Sequence, residues 1–207
     1  MNPIHEAIEQ AQTASTNFPV PIPLDATASL LTLDQMIIGN IHVDGWLKVN
    51  PYGLFIDSDR TPFQTLELGL PMNEIGFNYS IKVGNPVTYL KTYDRITCAT
   101  GGSWAEAQAR ARSVDPRARE YRSADLPFLV LSDIQLPDGT VLFTSGKRLG
   151  HSLSTTGWKG FAGLVKQLRD QDIDPTTAFV RVKVGYESKK NASGAWGVLK
   201  FLEPRQV

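Results

Sequence analysis

Residues 154–203 read STTGWKGFAGLVKQLRDQDIDPTTAFVRVKVGYESKKNASGAWGVLKFLE, and they hold the clearest structural pattern of the chain. Ser154 or Thr155 can cap a helix, because either side chain can accept a backbone N–H at a helix start. Apolar side chains then recur at every third or fourth position: Trp158, Phe161, Val165 and Leu168. This spacing predicts one amphipathic helix near residues 155–170, packed against the core of the protein.

The second half of the stretch predicts a β-hairpin. Residues 180–186 alternate, with Val180, Val182, Val184 and Tyr186 on one face and Arg181 and Lys183 on the other. A turn with Lys189, Lys190, Asn191 and Gly194 follows, and a returning strand covers residues 196–202. The pattern indicates a hairpin whose tip is rich in lysine.

Upstream of the helix, β-type patterns dominate. Candidate strands cover residues 36–49, 54–56, 63–70, 87–97, 128–134 and 140–144, and Leu136–Gly139 is a turn signal between the last two. No βα alternation is present, which predicts a mainly β, α+β fold. Seven or eight strands and one helix suit a decorated antiparallel barrel like the oligonucleotide-binding (OB) fold. A two-layer antiparallel sheet with a helix on one face is the alternative.

Domain organisation follows from proline and helix signals. Residues 3–14 have helical spacing, and Phe18–Pro23 alternates proline with apolar residues, which favours an extended connector. We therefore expect an N-terminal helix and proline-rich arm over residues 1–32 and a single β-rich domain over residues 33–207.

The segment 103–122 has two readings. Ser103 and Glu106 match a capping box and the alanine-rich run that follows favours helix, although its alternation also fits an exposed strand. Five arginines follow closely: Arg110, Arg112, Arg117, Arg119 and Arg122. Such a cluster either holds phosphates or forms a solvated, salt-bridged surface.

Composition predicts a cytoplasmic protein. Cys98 is the single cysteine among 207 residues, so no intrachain disulfide forms, and no apolar run is long enough to span a membrane. The net charge of zero is unevenly distributed along the chain. Residues 1–90 hold three basic and nine acidic side chains, whereas residues 91–207 hold eighteen and twelve. Such asymmetry is either a hint of nucleic-acid contact or an ordinary surface after folding.

No catalytic or metal-binding motif is evident. His5, His42 and His151 lack the spacing of metal ligands, and the Gly101–Ser103 segment lacks the lysine of a phosphate-binding loop. Cys98 has no adjacent base, which favours a buried structural thiol. We therefore predict a protein that is not an enzyme and needs neither metal nor cofactor.

Basic and aromatic side chains do fall together on the predicted strands. Single-strand binders combine a cationic groove with aromatic platforms on which bases stack. The candidate nucleic-acid-binding residues are Trp46, Lys48, Tyr89, Lys91, Tyr93, Arg95, Arg181, Lys183, Lys189, Lys190 and Trp196. Tyr89, Lys91, Tyr93 and Arg95 would share one face of a strand over residues 87–97.

The segments 154–161, 181–184 and 189–201 together resemble phage and plasmid proteins that are suspected to be OB-like single-stranded DNA-binding proteins. Tyr52–Ile56 is similar to a segment of a cyanobacterial domain family. The first resemblance implies an OB-like fold and binding to single-stranded DNA. Unlike many such proteins, this chain ends without an acidic tail, which puts partner recruitment through that end in doubt.

The sequence thus predicts a single-stranded nucleic-acid-binding protein, with DNA as the expected ligand and without a membrane partner. One alternative is a non-catalytic protein-interaction or assembly module of phage or plasmid origin, acting as a homo-oligomer or with a protein partner. The other is an enzyme without a recognisable motif, which predicts a deep pocket lined with titratable groups.

Overall fold

The computed structural model describes residues 41–84, 88–192 and 194–206. The predicted N-terminal helix and proline-rich arm, residues 1–32, lie outside the described residues, as do residues 33–40 of the predicted domain.

Eleven strands and two α-helices make up the described chain. The strands are β1 Gly45–Asn50, β2 Gly53–Ile56, β3 Thr65–Pro71, β4 Gly76–Val83, β5 Thr88–Thr92, β6 Tyr121–Val130, β7 Ile134–Gln135, β8 Val141–Phe143, β9 Arg148–Ser152, β10 Phe179–Asn191 and β11 Gly194–Gln206. The helices are α1 Trp104–Val114 and α2 Thr155–Asp170, and a 3-10 turn covers Met72–Glu74. The mainly β, α+β prediction is confirmed, with more strands than the seven or eight expected.

Nine of the strands form one sheet. Its order is β11-β10-β3-β6-β9-β1-β2, and β4 continues along β6 with β5 at its side. The pairs are antiparallel except for β1 with β9. One edge of β6 serves two strands, because residues 129–130 pair with β3 and residues 121–125 pair with β4. The 3-10 turn at Met72–Glu74 lies between these two ladders, since the β3 ladder ends at Gly69 and the β4 ladder begins at Gly76.

Helix α2 forms where its sequence pattern predicts. The Ser154 hydroxyl accepts the backbone N–H of Gly157 at 3.1 Å and so caps the helix. Phe161 is fully buried, and its ring contacts those of Phe77, Trp158 and Phe201. The aromatic residues of this helix are therefore core, as the sequence predicted, with Trp158 only partly buried.

Helix α1 resolves the ambiguous segment. Ser103 and Glu106 form the complete capping box, each side chain bonding the backbone N–H of the other residue. Trp104, Ala107 and Ala111 are its buried residues. They join Ile81, Leu90, Cys98 and Ala118 in a cluster separate from the main core, which we call the small core. The prediction of a buried Cys98 is confirmed.

Three predicted strand boundaries are wrong. Strand β5 ends at Thr92, because the Asp94 carboxylate accepts the backbone N–H groups of Ile96 and Thr97, and Arg95 has φ +60°. Tyr93 and Arg95 therefore do not continue the β5 face. Strand β6 ends at Val130, so only the short β7–β8 hairpin surrounds the predicted turn at residues 136–139. Lys189 and Lys190 lie in β10 rather than in the turn.

Strand β11, at one end of the sheet order, approaches β1 near the other end at Gly197. This residue of β11 lies against the end of β1, where a Cβ atom would meet the backbone oxygen of Asn50 at 2.3 Å. No ladder joins β11 to β1 or β2 among the described strands. The sheet is thus strongly curved, and its hydrogen-bonded order is open.

We expect Gly197→Ala to destabilise the protein by about 1–3 kcal/mol, because backbone must move to admit the methyl group. Gly163→Ala is the matched control, since a Cβ atom there meets nothing within 4 Å on α2. That control should stabilise by about 0.5–1 kcal/mol through helix propensity. Urea denaturation of both variants measures the difference. Equal stability of the two would contradict the close approach of β11 to β1.

Candidate nucleic-acid interface

A groove runs between the β10–β11 hairpin and the start of α2. It has a volume of about 620 Å³, and among its walls are Lys82, Tyr89, His151, Thr156 and Trp196. A smaller cavity of about 180 Å³ opens beside it. The cavity is lined by Ser80, Tyr89, Lys91, Tyr121, Ser123, Ser152, Leu153 and Ser154. Three of these residues, Tyr89, Ser152 and Ser154, also line the groove, so the two spaces form one continuous surface.

The charged side chains that line this surface are lysines. Lys82 lines the groove and Lys91 lines the cavity, while none of the described lining residues is an aspartate or glutamate. The first turn of α2 also reaches the groove through Thr156 and Gly157, and it carries no acidic residue. The start of a helix has a partial positive charge, which adds to the cationic character of the groove.

A buried carboxylate holds Lys91 in place. Asp125 is 1% exposed on β6, and its Oδ1 lies 2.7 Å from the Lys91 Nζ and accepts the Ser152 hydroxyl at 2.5 Å. Its Oδ2 accepts hydrogen bonds from Asn78 at 3.1 Å and from the Tyr93 hydroxyl at 3.2 Å. A buried charge is tolerated only when paired and hydrogen-bonded, and all four groups meet that need. We call these five residues the Asp125 network.

The network fixes both the position and the chemistry of its members. Lys91 also donates to the Ser152 oxygen at 2.9 Å, and its ammonium lies 5.8 Å from the centre of the Trp46 ring. Burial, reinforced by the nearby Asp125 charge, raises the pKa of the Tyr93 hydroxyl, so this group stays protonated and remains a donor. The result is a lysine held at the cavity wall instead of a mobile surface side chain.

His151 is part of the groove wall. Its Nδ1 lies 2.9 Å from the carbonyl oxygen of Leu47, and loss of hydration lowers its pKa. The ring is therefore neutral at neutral pH, and Nδ1 donates to the carbonyl. Within the described residues, no group of three or more histidine, cysteine, aspartate or glutamate side chains is arranged to hold a metal ion.

The structure brings five of the predicted residues together. Tyr89 and Trp196 line the groove, Lys91 lines the cavity, and Tyr93 and Trp46 contact the same lysine or its carboxylate. Tyr89 is 52% exposed and Trp46 is 39% exposed, so both rings present area to solvent. These residues come from β1, β5, the segment after β5 and β11, which the sequence alone does not place side by side.

The other predicted residues lie elsewhere. Arg181 pairs with Glu67 at 2.6 Å, and with Lys183 it lines a second groove of about 380 Å³ that also contains Glu203 and Arg205.

The remaining predicted residues have partners outside both grooves or lie exposed. Arg95 pairs with Glu120 and lies over the Tyr79 ring. The Lys48 ammonium donates to the Asp57 carbonyl oxygen at 2.6 Å. Lys189 pairs with Glu187 at 3.1 Å, and Lys190 is exposed near the hairpin tip.

Sequence reasoning missed several residues of this surface: Lys82, Tyr121, Asp125, His151, Ser152 and Ser154 as lining or supporting groups. One signal was available. Asp125 is the single charge within the apolar run 124–131, and a lone acid in a buried strand pattern indicates a paired carboxylate. The neighbouring Ser152 and Ser154 carry no such signal, because serine is common at surfaces.

No family model, curated protein or solved structure matches this chain in comparisons with known proteins. Among the described residues, none of the helices is long and apolar enough to cross a membrane.

Proposed function

We propose that the protein binds single-stranded nucleic acid, with DNA as the expected ligand, along the groove and the adjoining cavity. The observation that carries this proposal is the lining of the two spaces, which combines lysine with aromatic rings and contains no carboxylate among the described residues. A polyanion with unstacked bases has the complementary chemistry. Its phosphates are attracted by Lys82 and by the start of α2, and its bases can stack on Trp196 and Tyr89.

An OB-like barrel remains part of the proposal. The approach of β11 to β1 at Gly197 supports this part of the proposal, although the strand order of the sheet is open. In OB folds the bound strand lies across exposed strand faces between loops. The groove beside the β10–β11 hairpin supports that mode of binding.

We expect the protein to bind oligothymidylate and to lose affinity steeply between about 50 and 200 mM salt, because binding releases counterions. Trp196→Ala should weaken binding about 5- to 150-fold, since stacking on an aromatic ring contributes about 1–3 kcal/mol per base. Fluorescence anisotropy with a labelled oligonucleotide measures both effects. Absence of wild-type binding at low salt would overturn the proposal.

The matched control is Tyr52→Ala. Tyr52 is an aromatic residue that is 75% exposed and does not line the groove or the cavity. Its replacement should leave affinity within about twofold. An equal loss in both variants would mean that Trp196 has no specific role in binding.

A second candidate is the protein-interaction or assembly module. One observation favours it: β11 is thirteen residues long, and among the described strands it pairs only with β10. An unpaired strand edge is a template for pairing with another chain. Light scattering over a range of concentrations tests this reading, which predicts a defined oligomer and is contradicted by a monomer throughout.

A further inference from the structure

The cavity beside the groove has the size of a single ring system. Its volume of about 180 Å³ is below the roughly 300–1,000 Å³ typical of pockets for drug-sized ligands. It opens next to the groove and shares Tyr89, Ser152 and Ser154 with it. A base turned out of a strand bound in the groove can therefore reach it without a separate path.

Two tyrosines give the cavity apolar surface. Tyr89, on β5, is half exposed, and Tyr121, on β6, is partly buried. The pKa of Tyr121 is raised to about 12 by burial, so its hydroxyl is protonated. Aromatic rings at the mouth and wall of a cavity are suited to the flat faces of a base.

The charged hydrogen-bonding group of the cavity is Lys91, which can only donate. A lysine ammonium has three N–H donors, and Asp125 and Ser152 take two from Lys91. Three of the four lining serines use their hydroxyl protons inside the protein: Ser80 donates to Asn78, Ser123 to the Leu153 carbonyl oxygen and Ser152 to Asp125. The hydroxyl of the fourth, Ser154, lies 3.0 Å from that of Thr156. The third N–H of Lys91 thus remains for a ligand, and no described lining residue offers a carboxylate acceptor.

We infer that the cavity binds one base of the strand and prefers a base whose position-4 group, facing Lys91, is a carbonyl oxygen. Thymine and uracil carry such an oxygen at position 4, where cytosine carries an amino group. That amino group would face the Lys91 ammonium, which has no acceptor to offer it, and an unmatched polar group is costly when buried. This inference rests on the proposed function and assigns it a base preference.

The wild-type protein tests the inference directly with three homopolymers of equal length. Oligothymidylate and oligodeoxyuridylate should bind with similar affinity, and oligodeoxycytidylate about tenfold more weakly, as expected for loss of one hydrogen bond to a charged group. Tight and equal binding of all three would overturn the inference and leave the proposed function intact. If none of the three oligonucleotides binds, the inference and the proposed function are both overturned.

Variants then assign the preference to Lys91. Lys91→Met should bring the affinity for thymidylate close to that for cytidylate, whereas the control Lys82→Met should weaken both equally, since Lys82 lines only the groove. Because Lys91→Met leaves Asp125 without its cation, the double variant K91M/D125N is measured as well, with thermal melts to verify folding. A preference that survives in a folded Lys91 variant would refute the assignment.

Discussion

Asp125→Ala is expected to lower the free energy of unfolding by about 3–5 kcal/mol, because it leaves the Lys91 ammonium without its buried partner. The carboxylate also accepts hydrogen bonds from Ser152, Asn78 and Tyr93, and alanine satisfies none of them. Their desolvation is then uncompensated. Urea denaturation followed by tryptophan fluorescence gives the change in free energy.

A surface ion pair provides the matched comparison. Glu67 and Arg181 are both about half exposed and lie 2.6 Å apart, so Glu67→Ala should cost no more than about 1 kcal/mol. The contrast between the two variants isolates the effect of burial from that of charge pairing. A loss below about 1 kcal/mol for Asp125→Ala would show that the Asp125 network is hydrated.

Phe161→Ala is expected to destabilise by about 3–5 kcal/mol, through lost burial and the cavity that remains. Phe161 is fully buried at the junction of α2 with the sheet, and its ring centre lies 5.9–6.3 Å from those of Trp158, Phe77 and Phe201. Loss of the ring therefore weakens the contacts of α2 with both β4 and β11. The shift of the thermal or urea midpoint measures this effect.

Ile96→Ala is the control for this core substitution. Ile96 is 72% exposed, so removal of its side chain should change stability by no more than about 0.5 kcal/mol. If Phe161→Ala were as mild as the control, α2 would not pack on the sheet through this face.

The elements that the sequence predicts best are those with local signals. Helix α2 combines a capping serine with apolar residues at helical spacing, and β10 alternates between buried and exposed residues from Val180 to Val184. In both cases the buried face follows from residues close in sequence. Helix α1 was ambiguous because alternating alanines fit two periods, and its capping box is the feature that distinguishes them.

The errors occur where a short-range contact overrides the local pattern. Residues 87–97 read as one strand, but the Asp94 carboxylate accepts the backbone N–H groups of Ile96 and Thr97, and the strand ends at Thr92.

The pairing of β6 could not be predicted from the sequence either, because one edge of this strand is shared by β3 and β4. Such sharing depends on residues far apart in the chain.

The candidate interface was predictable in composition rather than in arrangement. Tyr89, Lys91 and Trp196 were identified because aromatic and basic residues alternate on strands. Arg181 and Lys183 satisfy the same criterion but lie in a separate groove. Their side chains line it together with Glu67 of the neighbouring strand β3, with which Arg181 forms an ion pair. Which residues of different strands lie side by side depends on the order of the strands in the sheet. The alternation of residues within one strand does not indicate that order.

The region around the small core is expected to be less stable than the rest of the domain. It contains seven buried residues from β4, β5, α1 and the neighbouring segments, against twenty-seven in the main core. Regions with fewer buried contacts open at lower free energy than the whole domain, so hydrogen exchange in β5 and α1 should outpace that in β6. Lys91 belongs to β5, and each such opening removes one wall of the cavity. A ligand that contacts both β5 and the start of α2 binds only the closed form and therefore lowers the population of this open form. Its observed affinity is reduced by the free energy needed to keep β5 in the closed form.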